Sequence, residues 1–264
     1  MPEGDTVWLT AHRLDRALAR RSLTLSDFRV PALATADVRG TTVTEVVARG
    51  KHLLTRFDSG TTLHSHLRMD GSWFITPHGA RPHRYPDHMI RVQLGNAEWT
   101  ATGYRVHDLA LIATVDEMQL VGHLGPDLLG DDWDASEAVR RLRAAPDVPI
   151  GEALLDQRNL AGIGNLYKSE VLFLRGINPW MRTGDVADLH ALVELAHTLL
   201  TRNRDHPEQS TTGSLRRGEQ HWVYRRDGQP CRRCGALVRR HDQGASPNQR
   251  STYWCPSCQP SVRD

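Results

Sequence analysis

Four cysteines near the C-terminus constrain the fold of this 264-residue chain more than any other feature. They form two pairs, Cys231-x-x-Cys234 and Cys255-x-x-Cys258, with 20 residues between the pairs. A disulfide framework would distribute cysteines along a secreted chain, whereas two C-x-x-C turns place four thiolates around one point, as a tetrahedral zinc site requires. Four protein ligands leave no open coordination position, so we expect one structural zinc ion, with a redox pair as the alternative. A tail this short would not bury enough apolar surface to fold without the metal.

The segments between the two pairs, ALVRRHD and QRSTYW, predict the two strands of a zinc-finger β-hairpin. Residues 201–264 contain 12 Arg against six Asp or Glu, although the net charge of the whole chain is only +2. A locally basic surface of this kind suits contact with phosphates. A solvated surface with scattered arginines is the alternative.

Length and composition indicate a globular protein of more than one domain. Hydrophobic residues make up 39% of the chain and charged residues 24%, which is ordinary for such proteins. No apolar run approaches the roughly 20 residues that span a bilayer, and the N-terminus lacks the pattern of a signal peptide. We therefore expect a cytoplasmic protein without membrane association. The predicted domains are residues 1–130, 131–222 and 223–264.

The first half of the chain predicts a helix followed by a β-sandwich. Apolar residues recur at helical spacing from Thr6 to Arg20, with Asp5 or Thr6 as the N-cap. From Ser22 to about Leu120 the pattern changes to short β-rich runs. The stretch TTVTEVVARGKHLLTRFDSGTTLHSHL contains three of these runs, separated by turn signals at Arg49-Gly50 and Ser59-Gly60. Gly95-Asn96 predicts a further hairpin turn.

The second half predicts a helical region. A first helix is expected from Asp134 or Ser136 to Arg143, and IGEALLDQ predicts a short second one. NLAGIGNLYKSEVLFLRG predicts a turn and a third helix, and a long amphipathic helix is expected from Asp185 to Arg202. The fold class is therefore α+β with several domains.

The glycine pair Gly162 and Gly164 precedes the third of these helices. Glycines permit a tight turn whose backbone N–H groups point outward, and the helix adds the positive end of its dipole. Such a turn forms an anion site to which Asn165 could donate. Packing explains most turns of this kind, and the sequence lacks the Lys-Ser/Thr of a P-loop.

Together these motifs resemble the formamidopyrimidine-DNA glycosylase / endonuclease VIII family of base-excision repair enzymes. The resemblance runs from MPEG through ARGKHLL, HSHLRMDG and LLDQRNLAGIGNLYKSEVLF to NQRSTYWCPSCQ. It implies an N-terminal β-sandwich, a helix–two-turn–helix domain and a zinc-finger hairpin, with damaged double-stranded DNA in the cleft between the two larger parts. The motifs are closest to the endonuclease VIII branch. We expect a monomer, because such a cleft needs no symmetry mate.

The same resemblance implies the catalytic residues. After removal of Met1, Pro2 would carry a free secondary amine that attacks C1′ of the damaged nucleotide. Glu3 matches the general acid, for which a solvated acid at a helix start is the alternative. Lys51 matches a lysine that contacts phosphate and assists chemistry at the sugar, with a solvated turn lysine as the alternative. Arg250 matches the arginine that grips the phosphate of the lesion and assists the second elimination.

The resemblance also implies residues that contact DNA. Arg68 and Met69 lie where the family keeps the side chain that fills the gap left by the extruded base, although Met69 could instead pack in a core. Further candidates are Arg105, His107, His88 and the phosphate-binding Asn165.

Departures from the family pattern point to the substrate. The start reads Pro-Glu-Gly, GYRVHD lacks a Phe wedge, and Gly151 stands where many 8-oxoguanine enzymes have Lys. All three favour oxidised pyrimidines, whereas RMDG is not the usual endonuclease VIII wedge and Thr6 replaces an acid common in both branches. The same chemistry on 8-oxoguanine or formamidopyrimidine lesions is one alternative. A damaged-DNA-binding protein without catalysis is the other.

Overall fold

The computed structural model describes residues 2–80, 85–246 and 249–261. Met1, whose removal would expose Pro2, lies outside these residues. The chain divides into two compact units, Met1–His123 and Leu124–Asp264, and each has its own apolar core. In the described segments, no helix has both the length and the apolar character that crossing a membrane requires.

The first unit combines one long helix with two four-stranded antiparallel sheets, as predicted. Helix α1 spans Gly4–Leu18 and the short α2 spans Glu117–Val121. The strands are β1 Leu25–Phe28, β2 Val43–Arg49, β3 His52–Phe57, β4 Thr61–His66, β5 Ser72–Pro77, β6 Ile90–Gly95, β7 Trp99–Tyr104 and β8 Asp108–Ala113. One sheet has the order β1-β6-β7-β5 and the other β2-β3-β4-β8. Apolar residues of α1 share a core with both sheets.

Helix α1 begins two residues before the predicted start. Its N-cap is Glu3, which has extended backbone angles and whose carbonyl oxygen accepts a hydrogen bond from the backbone N–H of Val7 at 3.0 Å. Asp5 and Thr6 therefore lie inside the first turn, so the prediction that one of them caps the helix is wrong. The helix ends at Leu18, because Ala19 has extended backbone angles, and Arg20 follows in a left-handed conformation with a φ of 61°.

The second unit packs four helices and the cysteine-bearing hairpin around one core. The elements are α3 Ala135–Arg143, α4 Ile150–Ala153, α5 Asn165–Arg175, α6 Leu189–Asn203, β9 Arg239–Gln243 and β10 Arg250–Trp254. Both strands of the predicted hairpin are confirmed, and they pair antiparallel. The core extends from the helices to Cys231, Val238, Tyr253 and Cys255, so β10 packs against the helical part, whereas β9 is mostly exposed.

Capping side chains set two helix starts in this unit. The Asp134 carboxylate accepts from the backbone N–H groups of Ser136 and Glu137 at 2.8 and 3.0 Å, which confirms Asp134 as the cap of α3. Helix α6 begins at Leu189 rather than at Asp185. The reason is that Asp188 accepts from the backbone N–H of Ala191 at 2.8 Å, while Thr183–Asp185 forms a separate 3₁₀ turn.

Candidate functional site

The predicted nucleophile and general acid lie at the start of α1. Pro2 is half-buried and directly precedes Glu3, whose side chain is completely buried. The alternative of a solvated acid at this position is therefore excluded. A buried carboxylate at a helix N-terminus is stabilised by the positive end of the helix dipole. The sequence thus places an acid group directly beside the residue whose amine the loss of Met1 would expose.

Lys51 lies at the tip of the β2–β3 hairpin, where Arg49 pairs with His52. Gly50 precedes it with a φ of 58°, a left-handed conformation that glycine adopts without steric cost. The Lys51 side chain is half-buried, and its positive charge contributes to lowering the pKa values of His52 and His66. The ammonium group is therefore close to the imidazoles described next.

Three histidines form a cluster beside Lys51 that the sequence analysis did not identify. His52 on β3 lies opposite His66 on β4, and Nδ1 of His52 lies 2.8 Å from Nε2 of His64. Burial and, to a smaller extent, the charges of the neighbouring imidazoles together lower the pKa of His52 to about 3. Burial likewise lowers the pKa of His66 to about 4. The cluster is therefore neutral near pH 7, and its imidazoles offer hydrogen bonds without adding charge.

This cluster lines a cavity of about 390 Å³. The other lining residues are Arg68, Asp108, Leu109 and Ala110. The alternation His64-x-His66 within a predicted strand was the available signal, because residues two apart on a strand point to the same face. This alternation alone did not indicate a histidine cluster, because the third member, His52, is brought beside the other two only by the pairing of β3 with β4.

Two loops that carry predicted DNA-contacting residues are joined by crossed ion pairs. The Arg68 guanidinium pairs with Asp108, and Arg105 pairs with Asp70 at 3.5 Å. Both arginines have left-handed backbones, with φ values of 52° and 53°, which is uncommon for residues other than glycine. The first loop ends at Gly71, where there is no room for a side chain, because a Cβ there would lie 2.5 Å from the Leu67 carbonyl oxygen.

The remaining predicted contact residues of this unit are exposed. Met69 is 64% exposed at the tip of the first loop, which excludes core packing as its role. His107 is exposed, and its Nδ1 lies 3.3 Å from Nε of Arg91. His88 is also exposed, in the short 3₁₀ turn before β6. An exposed Met on an Arg-bearing loop that is paired with a second such loop has the composition of a surface that inserts an apolar wedge into nucleic acid.

In the second unit, the glycine turn before α5 differs from the prediction in one respect. Gly162 has a φ of 101°, and its backbone N–H donates to Oε1 of Gln157 at 3.1 Å. Nε2 of Gln157 donates in turn to the Ile163 carbonyl at 3.1 Å. The prediction that the N–H groups of this turn all point outward is therefore wrong for Gly162, because the Gln157 side chain closes the turn from inside.

Asn165 is the first residue of α5 and is buried. Its Nδ2 donates to the Ser251 carbonyl at 2.7 Å, while its Oδ1 is buried without a hydrogen-bond partner. Ser251 directly follows Arg250, the first residue of β10, whose side chain is exposed. The predicted phosphate-binding Asn therefore touches the strand that carries the predicted phosphate-gripping Arg.

Two further side chains of α5 hold the C-terminal part of the chain, and the sequence analysis missed both. Lys168 is completely buried, and its Nζ donates to Oγ1 of Thr252 at 2.7 Å. Glu170 is also completely buried, and its carboxylate accepts from the backbone N–H groups of residues 222–224, each at 2.8 Å. Charged side chains inside an amphipathic helix gave no signal, because their burial depends on the segment that covers them.

The four cysteine sulfurs form a cluster of the size that zinc requires. All four lie within 4.8 Å of one another, with 4.0 Å between Cys231 and Cys258 and 3.4 Å between Cys234 and Cys255. Tetrahedral Zn–S bonds of about 2.3 Å place sulfurs about 3.8 Å apart. The observed separations bracket this value, so the residues fit a tetrahedral metal site.

The protonation of the thiols supports the same conclusion. Burial raises the pKa of Cys258 to about 12 and also raises that of Cys255, whereas a backbone hydrogen bond from Ala236 lowers the pKa of Cys234 to about 7. Four clustered thiols would therefore not all ionise without a cation among them. A bound divalent metal supplies the charge that keeps such thiols deprotonated.

Comparison with known proteins agrees with both units. Residues 1–108 match the Formamidopyrimidine-DNA glycosylase N-terminal domain, and residues 124–210 match the Formamidopyrimidine-DNA glycosylase H2TH domain. The chain is 57% identical to "Probable endonuclease 8 2" of Streptomyces coelicolor over 261 residues, covering 98% of this chain and 94% of that protein. It is 45% identical to "DNA-(apurinic or apyrimidinic site) lyase Nei2" of Mycolicibacterium smegmatis over 259 residues, covering 98% and 99% of the two chains.

A solved structure confirms the fold. The formamidopyrimidine-DNA glycosylase of Lactococcus lactis, solved non-covalently bound to DNA containing an AP site, superimposes with a TM-score of 0.81 at 24% identity. The superposition covers 98% of this chain and all of that one. Fold, domain matches and full-length relatives agree, and the chain belongs to the formamidopyrimidine-DNA glycosylase / endonuclease 8 family.

Proposed function

We propose that this protein is a bifunctional DNA glycosylase and AP lyase of base-excision repair, acting on oxidised pyrimidines in double-stranded DNA. One observation carries the proposal: a completely buried Glu3 next to a half-buried Pro2 at the start of a 15-residue helix. A relative of 45% identity that bears the name of an AP lyase supports the same chemistry.

The chemistry begins with the secondary amine of Pro2 after loss of Met1. The positive end of the α1 dipole disfavours a protonated amine at this position, so a neutral nucleophile is favoured. Its lone pair forms a bond to C1′ of the everted nucleotide as the glycosidic bond breaks, and Glu3 supplies the proton that the departing base needs. The attached nitrogen then loses its proton, and its lone pair forms a C=N bond as the C1′–O4′ bond of the sugar breaks and O4′ takes up a proton. The product is a ring-opened iminium, which acts as an electron sink.

Strand cleavage then follows by elimination. The iminium acidifies the proton at C2′, and removal of that proton expels the 3′-phosphate. A second elimination expels the 5′-phosphate, and water releases the enzyme from the sugar. We assign Lys51 to the sugar and its phosphate, because it lies at a hairpin tip beside a neutral histidine cluster.

Other residues would hold the DNA. The Arg250 guanidinium would grip the phosphate of the lesion and assist the second elimination. Nδ2 of Asn165 carries two N–H groups, one of which is bonded to Ser251, and the other would reach phosphate. Met69 would fill the space of the extruded base, supported by Arg68 and Arg105, and His88 and His107 would contact the strand.

We assign the cysteine cluster to one structural Zn²⁺ ion held by Cys231, Cys234, Cys255 and Cys258. The ion supplies a cross-link between the two C-x-x-C turns and thereby fixes β9 and β10. Elemental analysis of the purified protein should find one zinc per chain. Removal of the metal by a chelator should loosen the hairpin and weaken DNA binding, and a protein that binds DNA equally well without metal would contradict the assignment.

Covalent trapping tests the proposed nucleophile. Borohydride should reduce the iminium and link the wild-type protein to DNA containing an abasic site. In Pro2→Gly the ring and the secondary amine are lost, so trapping should fall by at least about tenfold, equivalent to 1.4 kcal/mol. Val115→Ala, at a side chain that is 89% exposed, is the matched control and should trap normally.

The mass of the mature N-terminus accompanies this assay. Efficient nicking by protein that retains Met1, or undiminished trapping by Pro2→Gly, would exclude Pro2 as the nucleophile. Parallel cleavage of duplexes carrying thymine glycol, 5-hydroxyuracil, 8-oxoguanine and formamidopyrimidine tests the lesion class. Binding to damaged duplexes without strand cleavage would instead favour a non-catalytic damage-binding protein.

A repair enzyme of this kind works where the chromosome is, so we place the protein in the cytoplasm, associated with the nucleoid when bound to DNA. Its monomeric state stays a prediction from the sequence. Light scattering of the purified protein measures it directly.

A further inference from the structure

A second cavity in the first unit lies away from the proposed catalytic residues. It has a volume of about 300 Å³ and is lined by Arg13, Arg16, Ala17, Ile75 and Trp99. Arg13 is ten residues after Glu3 on α1, so a rise of about 1.5 Å per residue places the two about 15 Å apart along the helix axis. The chemistry proposed for Pro2 and Glu3 makes no use of this cavity.

The cavity combines an apolar floor with a basic rim. Ala17 is buried, and Ile75 and Trp99 are half-buried, with all three packed in or against the core of the first unit. Arg13 and Arg16 are exposed. They lie three residues apart on the helix, so their side chains emerge on the same face.

The charge of the rim is not neutralised locally. Among the described residues, neither Arg13 nor Arg16 forms an ion pair. The carboxylate of Glu98, next to Trp99 in sequence, pairs with Arg21 at 3.3 Å. Two guanidinium groups are therefore available beside an apolar hollow that contains an indole.

We propose that this cavity docks an acidic peptide segment of a partner protein, with one large apolar side chain inserted between α1 and the edge of the β5–β7 sheet. Carboxylates of the peptide would pair with Arg13 and Arg16, and the apolar side chain would contact Ile75 and Trp99. Arg and Trp are the residue types enriched in the energetic centres of protein interfaces, and arginine clusters recognise acidic motifs.

The shape of the cavity favours a peptide over nucleic acid. A phosphodiester backbone would bind the two arginines but offers no apolar group for the hollow. Single-stranded bases stack on exposed aromatic faces along an open groove, whereas Trp99 is half-buried and bounded by Ala17 and Ile75. The volume of about 300 Å³ is at the lower end of the range for small-molecule pockets and accommodates one or two side chains.

A short labelled peptide provides the test, with full-length protein throughout. The probe contains four aspartates, a glycine and a C-terminal phenylalanine, and its binding is followed by fluorescence anisotropy at low salt. A small interface of this composition should bind with a Kd of about 10–100 µM and weaken as salt is added. One control peptide replaces the phenylalanine by serine, and a second replaces the aspartates by asparagines.

The variants Arg13→Ala and Arg16→Ala should each weaken binding several-fold, and together by at least about tenfold. Arg143→Ala, at an exposed arginine in the last turn of α3, is the matched control and should bind like wild type. Nicking of lesion-bearing duplexes should stay at the wild-type level in all four variants, so a failure here is distinguishable from a failure of the proposed function.

Three results would overturn the proposal. The first is absence of binding at about 1 mM protein, well above the expected Kd. The second is that the asparagine or the serine control peptide binds as tightly as the acidic probe peptide does. The third is binding of a labelled oligonucleotide that depends on Arg13 and Arg16 while the acidic peptide does not bind, which would make the cavity a nucleic-acid contact.

Discussion

Gly151 is the second residue of α4, and a Cβ at this position would lie 2.5 Å from Oε1 of Gln243 and 3.0 Å from the Pro179 carbonyl oxygen. Gln243 cannot move away cheaply. It is 5% exposed, its Nε2 donates to Pro179 at 2.9 Å, and its Oε1 accepts from Thr252 at 3.0 Å. The absence of a side chain at residue 151, noted as a departure from many 8-oxoguanine enzymes, therefore has a local steric cause.

We expect Gly151→Ala to lower the free energy of unfolding by about 1–3 kcal/mol, because the added methyl group displaces a bonded Gln side chain. Alanine is otherwise the better helix former by about 1 kcal/mol, so a net loss reports the clash. Urea denaturation measures the change. The penalty should shrink in a Gln243→Ala background, and an equal penalty in both backgrounds would contradict this explanation.

At the scale of elements, α5 is the support for the hairpin strand β10. Asn165 and Lys168 lie three residues apart on α5 and bond to the successive residues Ser251 and Thr252. Since Arg250 directly precedes this pair, the same contacts place the residue proposed to grip phosphate. The buried ammonium depends on hydroxyl acceptors, because an unpaired charge in an apolar interior is costly.

Thr252→Val should therefore destabilise the protein more than Lys168→Met does. The first change leaves the ammonium with one acceptor fewer and should cost about 2 kcal/mol, whereas the second removes the charge together with its need for acceptors. Chemical denaturation of both single variants and of the double variant measures the coupling. Strictly additive costs, or a larger cost for Lys168→Met, would show that the Lys168–Thr252 contact does not have this role.

At the scale of the whole molecule, the two units have separate cores and different sources of stability. The second unit joins helices and hairpin in one core that includes two of the four cysteines. The first unit depends on two packed sheets, and one of them contains the neutral imidazoles of His52, His64 and His66. Lowering the pH should therefore destabilise the first unit by protonating these histidines.

The pKa of His52 is about 3 and that of His66 is about 4 in the folded protein, below the ordinary 6.5. Between pH 6.5 and these pKa values the unfolded chain binds more protons than the folded protein does. The free energy of unfolding therefore falls as the pH is lowered through this range. Each histidine contributes a loss of up to about 1.4 kcal/mol per pH unit. Denaturation curves at pH 7 and pH 5 should show a smaller loss for His52→Gln than for wild type. An identical pH dependence in both proteins would exclude His52 as a source of acid lability.

The sequence by itself determined the features that depend on residues close together in the chain. The clustering of the four cysteines, the turns at Gly50 and Gly60, and the succession of a helix, a β-rich region, a helical region and a hairpin all follow from spacing within a few residues, and all are confirmed. For α3 the sequence offered Asp134 or Ser136 as the cap, and the structure selects Asp134. The division into three domains, by contrast, stays a prediction. The starts of α1 and α6 were wrong by a few residues. Helix α1 begins after Glu3 without a side-chain cap, and α6 is capped by Asp188 rather than beginning at Asp185.

Only the tertiary structure decided the features that join distant segments. The pairing of His52 with His64 and His66, the ion pairs Arg68–Asp108 and Arg105–Asp70, and the burial of Lys168 under β10 depend on which strands and helices become neighbours. A histidine, arginine or lysine has the same local pattern whether it is solvated or buried. Its pKa, its partners and its capacity to take part in chemistry are set by residues that lie elsewhere in the sequence.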